Sequence, residues 1–348
     1  MRYLFLLIAL LFFSVLSHAQ VIKGKITDAA SGKPIENANV YLNGTYAGTT
    51  SDAEGNFTIT TEKTNIPLII SYVGYATQTI SNYSDKLLNI ALKRKINQLR
   101  EVTIGDLEGM SREKAMRIFL REFIGSTSSD CVISNPDDIY FKYDKKRDVL
   151  TAGSDKPLLI SNKKLGYKIT YFLSGFTYAP LLTDYKGNYF FAEDTAGIEP
   201  GQIKKIIKAR DEAYFGSRMH FIRSLWANEL MKNDFLIYKT FPGTRDFGKQ
   251  YLLTTANILT AKHIIEVENG QKFIMLGKDT TMNNHKFASN EIYIMYKKSN
   301  PAFLLQDDGN TGTIIDSNGY YGNGISWKES LGKSRVNKLL PYEFQPSK

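Results

Sequence analysis

The chain has 348 residues, 43% hydrophobic and 12% aromatic, which is room for two domains with cores of their own. Its single cysteine, Cys131, excludes an intramolecular disulfide and reads as a buried structural thiol. The net charge of +9 is dispersed over Lys93-Arg94-Lys95, residues 142–147, Lys163-Lys164 and residues 204–210. Such spacing fits a solvated face, or weak attraction to anionic envelope lipid or glycan, better than nucleic acid.

Residues 1–19 read as an export signal. Met1-Arg2 is a short positive start, residues 4–16 are a nearly unbroken apolar run, and Ser17-His18-Ala19 is a small-x-small cleavage site. A membrane anchor would need a longer span with stop-transfer flanks. Cleavage would leave a chain starting at or near Gln20, and losing Arg2 takes the charge from +9 to +8. No cysteine follows the site to carry a lipid, and no later segment is apolar enough to cross a bilayer. The expected location is the periplasm or the outer membrane, or outside the cell.

Residues 20–93 carry short runs of alternating apolar and polar residues: Ile22, Gly24, Ile26; Ala38, Val40, Leu42; Phe57, Ile59; Leu68, Ile70, Tyr72; Leu88, Ile90, Leu92. Turn chemistry separates them at Ser31-Gly32, Asn43-Gly44, Asp52-Ala53-Glu54-Gly55 and Val73-Gly74. Period-two runs between such turns predict a small β-sandwich. Asp52, Glu54 and Asn56 have the alternate-oxygen spacing of a calcium loop, but the glycine stands at the fourth place instead of the sixth, so a turn is the expectation.

Val21-x-x-Gly24-x-Ile26-x-Asp28, Gly32-x-Pro34-Ile35, Ala38-x-Val40, Gly48-Thr49-Thr50, the Asp52-to-Phe57 stretch and Gly74-Tyr75 together resemble the carboxypeptidase regulatory-like domain. That resemblance implies a transthyretin-like sandwich of seven strands. It implies no peptidase, because the module accompanies many unrelated proteins.

Residues 94–110 read as a charged linker around one short strand, Glu101-Val102-Thr103-Ile104. Leu99-Arg100-Glu101-Val102 is similar to the segment that follows such a sandwich in TonB-dependent outer-membrane receptors. Those receptors add a plug and a many-stranded barrel. The residues after Ile104 are too few for both, so a receptor is not expected.

Residues 111–348 are expected to form a larger β-rich α+β domain, making the chain mainly β. Ser111 should cap a helix to Ile124 with Met116, Phe119, Leu120 and Phe123 inward and Gly125 as its stop. Strands are predicted over 139–143, 149–152, 158–161 and 167–176. Residues 201–234 should be the most helical part, punctuated at Gly216-Ser217, with Ser217 capping a second helix that buries Phe221, Ile222, Leu225 and Trp226. Strands resume over 235–239, 258–267, 272–276 and 291–296, with a turn over 307–310. Phe119-Leu120-x-x-Phe123, Cys131, Asn135-Pro136, Leu165-Gly166-Tyr167, Tyr214-x-Gly216-Ser217-x-x-His220-Phe221 and Leu339-Leu340-Pro341-Tyr342-Glu343 resemble uncharacterised two-domain envelope proteins of the Bacteroidetes, which implies no particular reaction.

His263-Ile264-Ile265-Glu266 has the His-x-x-Glu form used by zinc carboxypeptidases. The later His285 is too near for that family's spacing, and Asn269-Gly270 predicts a hairpin that would point His263 and Glu266 to opposite faces. No nucleophile elbow, phosphate-cradling glycine loop or Cys-x-x-Cys pair is present. Ser217 and His220 lie one helical turn apart, but capping already accounts for Ser217. No catalytic residue, cofactor or metal ligand is therefore assigned.

One interaction site is expected where helices flank Gly216-Ser217. Arg210, Tyr214, Ser217, Arg218, His220 and Arg223 should gather there, beside the free N–H groups of a helix start, in a form suited to a carboxylate or other anion. The competing reading is internal salt bridges and packing. The expected function is that of a non-enzymatic envelope binding or accessory module with an unidentified protein or glycan partner. A carbohydrate- or peptidoglycan-binding protein is the alternative if some of the 21 Tyr and 20 Phe line an exposed groove. A cryptic zinc hydrolase is the third.

Overall fold

The computed structural model describes residues 20–63, 65–81, 83, 87–95, 107–125, 130–180, 182–239, 251–252, 264–267, 270–274, 281–282, 285–286, 291–297, 302–306, 312–332 and 334–347. The export signal, the 99–104 segment, residues 258–263 and the 307–310 turn lie outside these. The chain forms two compact units: one runs to Asn43 and resumes over Ala47–Asn97, and the other comprises Gly44–Tyr46 and Gln98–Lys348.

The first unit has seven strands: β1 (Gln20–Asp28), β2 (Asn39–Leu42), β3 (Gly48–Thr50), β4 (Asn56–Thr61), β5 (Leu68–Ser71), β6 (Gln78–Ile80) and β7 (Leu88–Leu92). They form two sheets, β4-β1-β7 and β3-β2-β5-β6. β1 runs antiparallel to β4 and parallel to β7. Alternation turns Ile22 and Ile26 inward and Lys23 and Lys25 outward. Ile22, Ile26, Val40, Leu42, Phe57, Ile59, Leu68, Ile70, Ile90 and Leu92 are each at most 4% exposed. Burying each contributes about 1.5–3 kcal/mol, so this core outweighs any single polar contact in the unit. This is the seven-stranded sandwich that the sequence resemblance implied.

Two of its sequence landmarks are bonded to each other. Asp28, at the buried end of β1, accepts the Tyr75 hydroxyl at 2.6 Å and Arg94 Nε at 2.8 Å on Oδ2. Its Oδ1 accepts Ala30 N, Ser31 N and Ser31 Oγ at 3.0, 2.8 and 2.9 Å. Lys95 N donates to Gly74 O, so the unit's hydrogen bonding runs beyond Lys93. Asp52 accepts Glu54 N and Asn56 N at 3.1 and 2.7 Å, the pattern of a side-chain-stabilised turn.

In the second unit, helix α1 (Arg112–Phe119) starts at Ser111, whose side chain accepts from Lys114 N. It widens into a π turn over Leu120–Ile124 and stops at Gly125, which adopts φ 85°. The helix packs on a sheet of β8 (Cys131–Ile133), β9 (Ile139–Asp144), β10 (Val149–Ser154), β11 (Leu158–Asn162), β12 (Tyr167–Ala179) and β13 (Leu182–Glu193), ordered β8-β11-β12-β10-β9 with β13 along β12. Phe119 and Phe123, one turn apart, stack at 4.9 Å. Phe119 meets Phe176 edge-on, and Phe123 meets Tyr171 edge-on, each at 4.9 Å. Met116 and Leu120 are half-buried, and Ala115 takes the fully buried place on the helix.

Strand β13 is not among the strands predicted from the sequence, which end at Phe176 before the helical region. It pairs with β12 along its whole length, with one bulge between Leu173 and Gly175. Gly187 makes this possible: a Cβ there would stand 2.4 Å from the Tyr171 ring and from Phe172 O. The bare backbone lets Tyr171 lie across it and stack on Tyr189 at 5.4 Å.

Helices α2 (Pro200–Tyr214) and α3 (Arg218–Trp226) follow, meeting at Phe215-Gly216-Ser217. Beyond them come β14 (Phe235–Lys239), β15 (Tyr251–Leu252), β16 (Ile264–Glu266), β17 (Lys272–Ile274), β18 (Thr281–Met282), β19 (His285–Lys286), β20 (Glu291–Tyr296), β21 (Ala302–Gln306), β22 (Thr313–Ile315), β23 (Ile325–Lys328) and the single-turn α4 (Glu329–Gly332). The sheets are β15-β14-β20-β21-β23, β16-β17-β22 and the β18-β19 pair. Phe221, Ile222 and Leu225 of α3 are fully buried in a cluster with Phe235, Ile237 and Leu304, while Trp226 is half-buried at its edge.

Candidate functional site

The α2–α3 junction is built by local capping. Ser217 Oγ accepts His220 N at 3.2 Å, and His220 Nδ1 accepts Gly216 N at 3.1 Å. His220 is 4% exposed and ringed by Tyr214, Phe215, Phe235 and Tyr296, with centroids 4.8–5.7 Å away. Burial, helped by the Arg223 charge, lowers its pKa to about 4, so it stays neutral at physiological pH.

The structure brings Tyr214, His220 and Arg223 together but commits the three arginines inward. Arg223 donates from Nε to Asn318 O at 3.0 Å and from Nη2 to Tyr342 O and Phe344 O at 3.2 and 2.9 Å. Its guanidinium lies 5.3 Å from the Tyr214 ring centroid. Arg218 donates to Leu331 O and Gly332 O at 2.8 and 3.4 Å, satisfying carbonyls at the end of α4. Arg210 faces elsewhere, holding Glu193 through both Nη atoms at 3.1 and 2.8 Å and lying 4.0 Å over the Tyr167 ring. These contacts make a structural joint rather than an open concavity. Its product is the course of residues 342–347, which Ser347 N completes by donating to Asp211 at 3.0 Å.

Arg210 has a second consequence. Its Nε donates to Leu165 O at 2.7 Å and its Nη2 to Gly166 O at 3.3 Å, riveting α2 against the β11–β12 turn. That turn is itself fixed: Asn162, 1% exposed, accepts Leu165 N at 3.1 Å and donates to Asn337 O at 3.0 Å. Lys163 N donates to Asp130 O at 2.7 Å. Between the turn and the helix opens a cleft of about 510 Å³. Lys163 and Lys164 line it from the turn, and Lys205 and Lys208 line it from α2. Ile206 and Ala209, both nearly buried, form its floor. In sequence these lysines belong to two separate basic runs, and only the packing of α2 on the turn joins them.

The other motifs resolve more simply. His263 lies outside the described residues, and Glu266 stands on β16 opposite Lys272 of β17. Among the described residues, no three His, Cys, Asp or Glu side chains are grouped to hold a metal ion. Cys131 is buried, and burial pushes its thiol up to about 12. Phe215 is an exposed aromatic side chain, 45% exposed at the α2–α3 junction.

Residues 22–104 match the family model of the CarboxypepD_reg-like domain. The chain is 33% identical over 105 residues to the TonB-dependent receptor SusC of Bacteroides thetaiotaomicron, covering 30% of this chain and 10% of the receptor. It is 36% identical over 73 residues to the TonB-dependent receptor P39 of Formosa agariphila, covering 21% and 7%. To the TonB-dependent receptor P3 of the same organism it is 29% identical over 101 residues, covering 29% and 10%. The chain thus spans a tenth or less of the length of these relatives. Among the described residues no helix is long and apolar enough to cross a membrane.

Proposed function

We propose that the protein is a non-enzymatic binding or accessory component of the bacterial cell envelope, working in the periplasm or at the outer membrane. The observation that carries this reading is the match of residues 22–104 to a domain shared with TonB-dependent receptors. The partner would be another envelope protein or a glycan.

Crosslinking in living cells, followed by fractionation of the envelope and mass spectrometry, tests it. The expected result is recovery of the chain in periplasmic or outer-membrane fractions, crosslinked to a resident of those compartments. Recovery of the intact chain in the cytoplasm, without envelope crosslinks, would overturn the proposal.

A further inference from the structure

We infer that the lysine-lined cleft between α2 and the β11–β12 turn is a binding site for a multiply charged, phosphate-bearing ligand. Four lysines line it, with Asp130 and Glu212 as the acidic residues of the lining. Glu212 is engaged with Lys208 at 3.9 Å, while Lys163, Lys164 and Lys205 form no ion pair among the described residues. Like charges around one cleft repel one another, and an anion placed among them relieves that repulsion.

The frame is rigid where it matters. Asn162 and the Asp130 carbonyl fix the turn, and Arg210 fixes its separation from the helix. The lysine tips remain free to adjust to a ligand. A volume of about 510 Å³ lies within the ordinary range for small-ligand sites. An isolated exposed lysine gains little from a monovalent anion, because water screens the pair. Several lysines acting on one phosphate group or pyrophosphate gain more, since each supplies a compact charge with rotatable donors. The apolar floor of Ile206 and Ala209 would sit under the uncharged part of such a ligand.

This inference does not depend on the envelope assignment, because purified protein tests it directly. Calorimetric titration of the full chain with sodium pyrophosphate should show saturable binding that weakens several-fold between about 50 and about 200 mM NaCl. The double variant Lys163→Gln, Lys205→Gln should bind at least about tenfold more weakly, because both lost lysines are charged donors. Its melting temperature should match the wild type, since both side chains are exposed. Lys145→Gln with Lys146→Gln, exposed lysines elsewhere, should bind like the wild type.

A second arm uses phosphatidylcholine vesicles with and without phosphatidic acid. Lysine-dependent capture by the acidic vesicles, competed by pyrophosphate, supports the site and identifies a lipid headgroup as its source of phosphate. Pyrophosphate binding without vesicle capture supports the site with a soluble ligand. Absence of pyrophosphate binding by the wild type, equal binding by the cleft variant, or tighter lysine-dependent binding of citrate would overturn the proposal.

Discussion

The Tyr75 hydroxyl donates to Asp28 Oδ2 at 2.6 Å, joining two residues that lie 47 positions apart in sequence. Tyr75, then Arg94 and the Ser31 amide, hold the Asp28 carboxyl well below the usual carboxylate range. A carboxylate depressed in the folded state contributes stability above its unfolded pKa of about 3.9 and loses it as pH falls toward the folded value. The sandwich should therefore lose stability progressively below about pH 4. Asp28→Asn should flatten that acid limb in scanning calorimetry, and Tyr75→Phe should shift it upward in pH. An acid limb unchanged in both variants would remove Asp28 from this role.

His220 gives a second pH dependence, in a different window. Its folded pKa is lowered to about 4, against an unfolded value of 6.5, so the unfolded chain binds the extra proton first. Stability from this residue is present above pH 6.5 and declines as pH falls toward 4, by up to about 3 kcal/mol. Nitrogen NMR of the imidazole should find it neutral at pH 6, protonated on Nε2 because Nδ1 accepts from Gly216. A histidine titrating near its ordinary value would show that the ring is not enclosed.

The sandwich was legible because its strands have one buried face and its turns use residues with special backbone preferences. Ile22, Ile26, Phe57 and Ile59 announce their burial by period two alone. Ser111 and Ser217 announce helix starts for the same local reason: each hydroxyl satisfies an orphaned N–H of its own first turn. Strand β13 was not legible, because Gly187 is there for the ring of Tyr171, a residue on the neighbouring strand. The cleft was hidden for a similar reason. Lys163 and Lys205 are neighbours only because Arg210 docks α2 on the turn, and Arg210 itself looked like a ligand-binding residue.

Cys131 should be chemically silent in the native protein. Burial keeps its thiol protonated, with a pKa near 12, and the thiolate is the reactive form. Ellman's reagent should report no fast-reacting thiol in the folded chain and one per chain in denaturant, as the sequence holds one cysteine. Rapid native reaction would mean that β8 opens readily.

The joint at α2–α3 makes the strongest stability prediction. Arg223 spans three carbonyls, those of Asn318, Tyr342 and Phe344, and Arg218 spans those of Leu331 and Gly332. Glutamine is too short to reach either set, so replacing both arginines strands partly buried acceptors on separate segments. Hydrogen bonds to charged groups contribute about 1.5–3 kcal/mol each, and not additively, so Arg218→Gln with Arg223→Gln should cost at least about 3 kcal/mol. For a unit of this size that corresponds to a fall of about 6–12 °C in melting temperature. Hydrogen exchange should rise first in residues 342–347, which lose their anchor. Arg147→Gln, at a side chain 83% exposed, should change little. If the double variant instead melts within a few degrees of the wild type, the guanidiniums support no fold. The junction would then be free to meet an anion from outside, as the sequence alone had suggested.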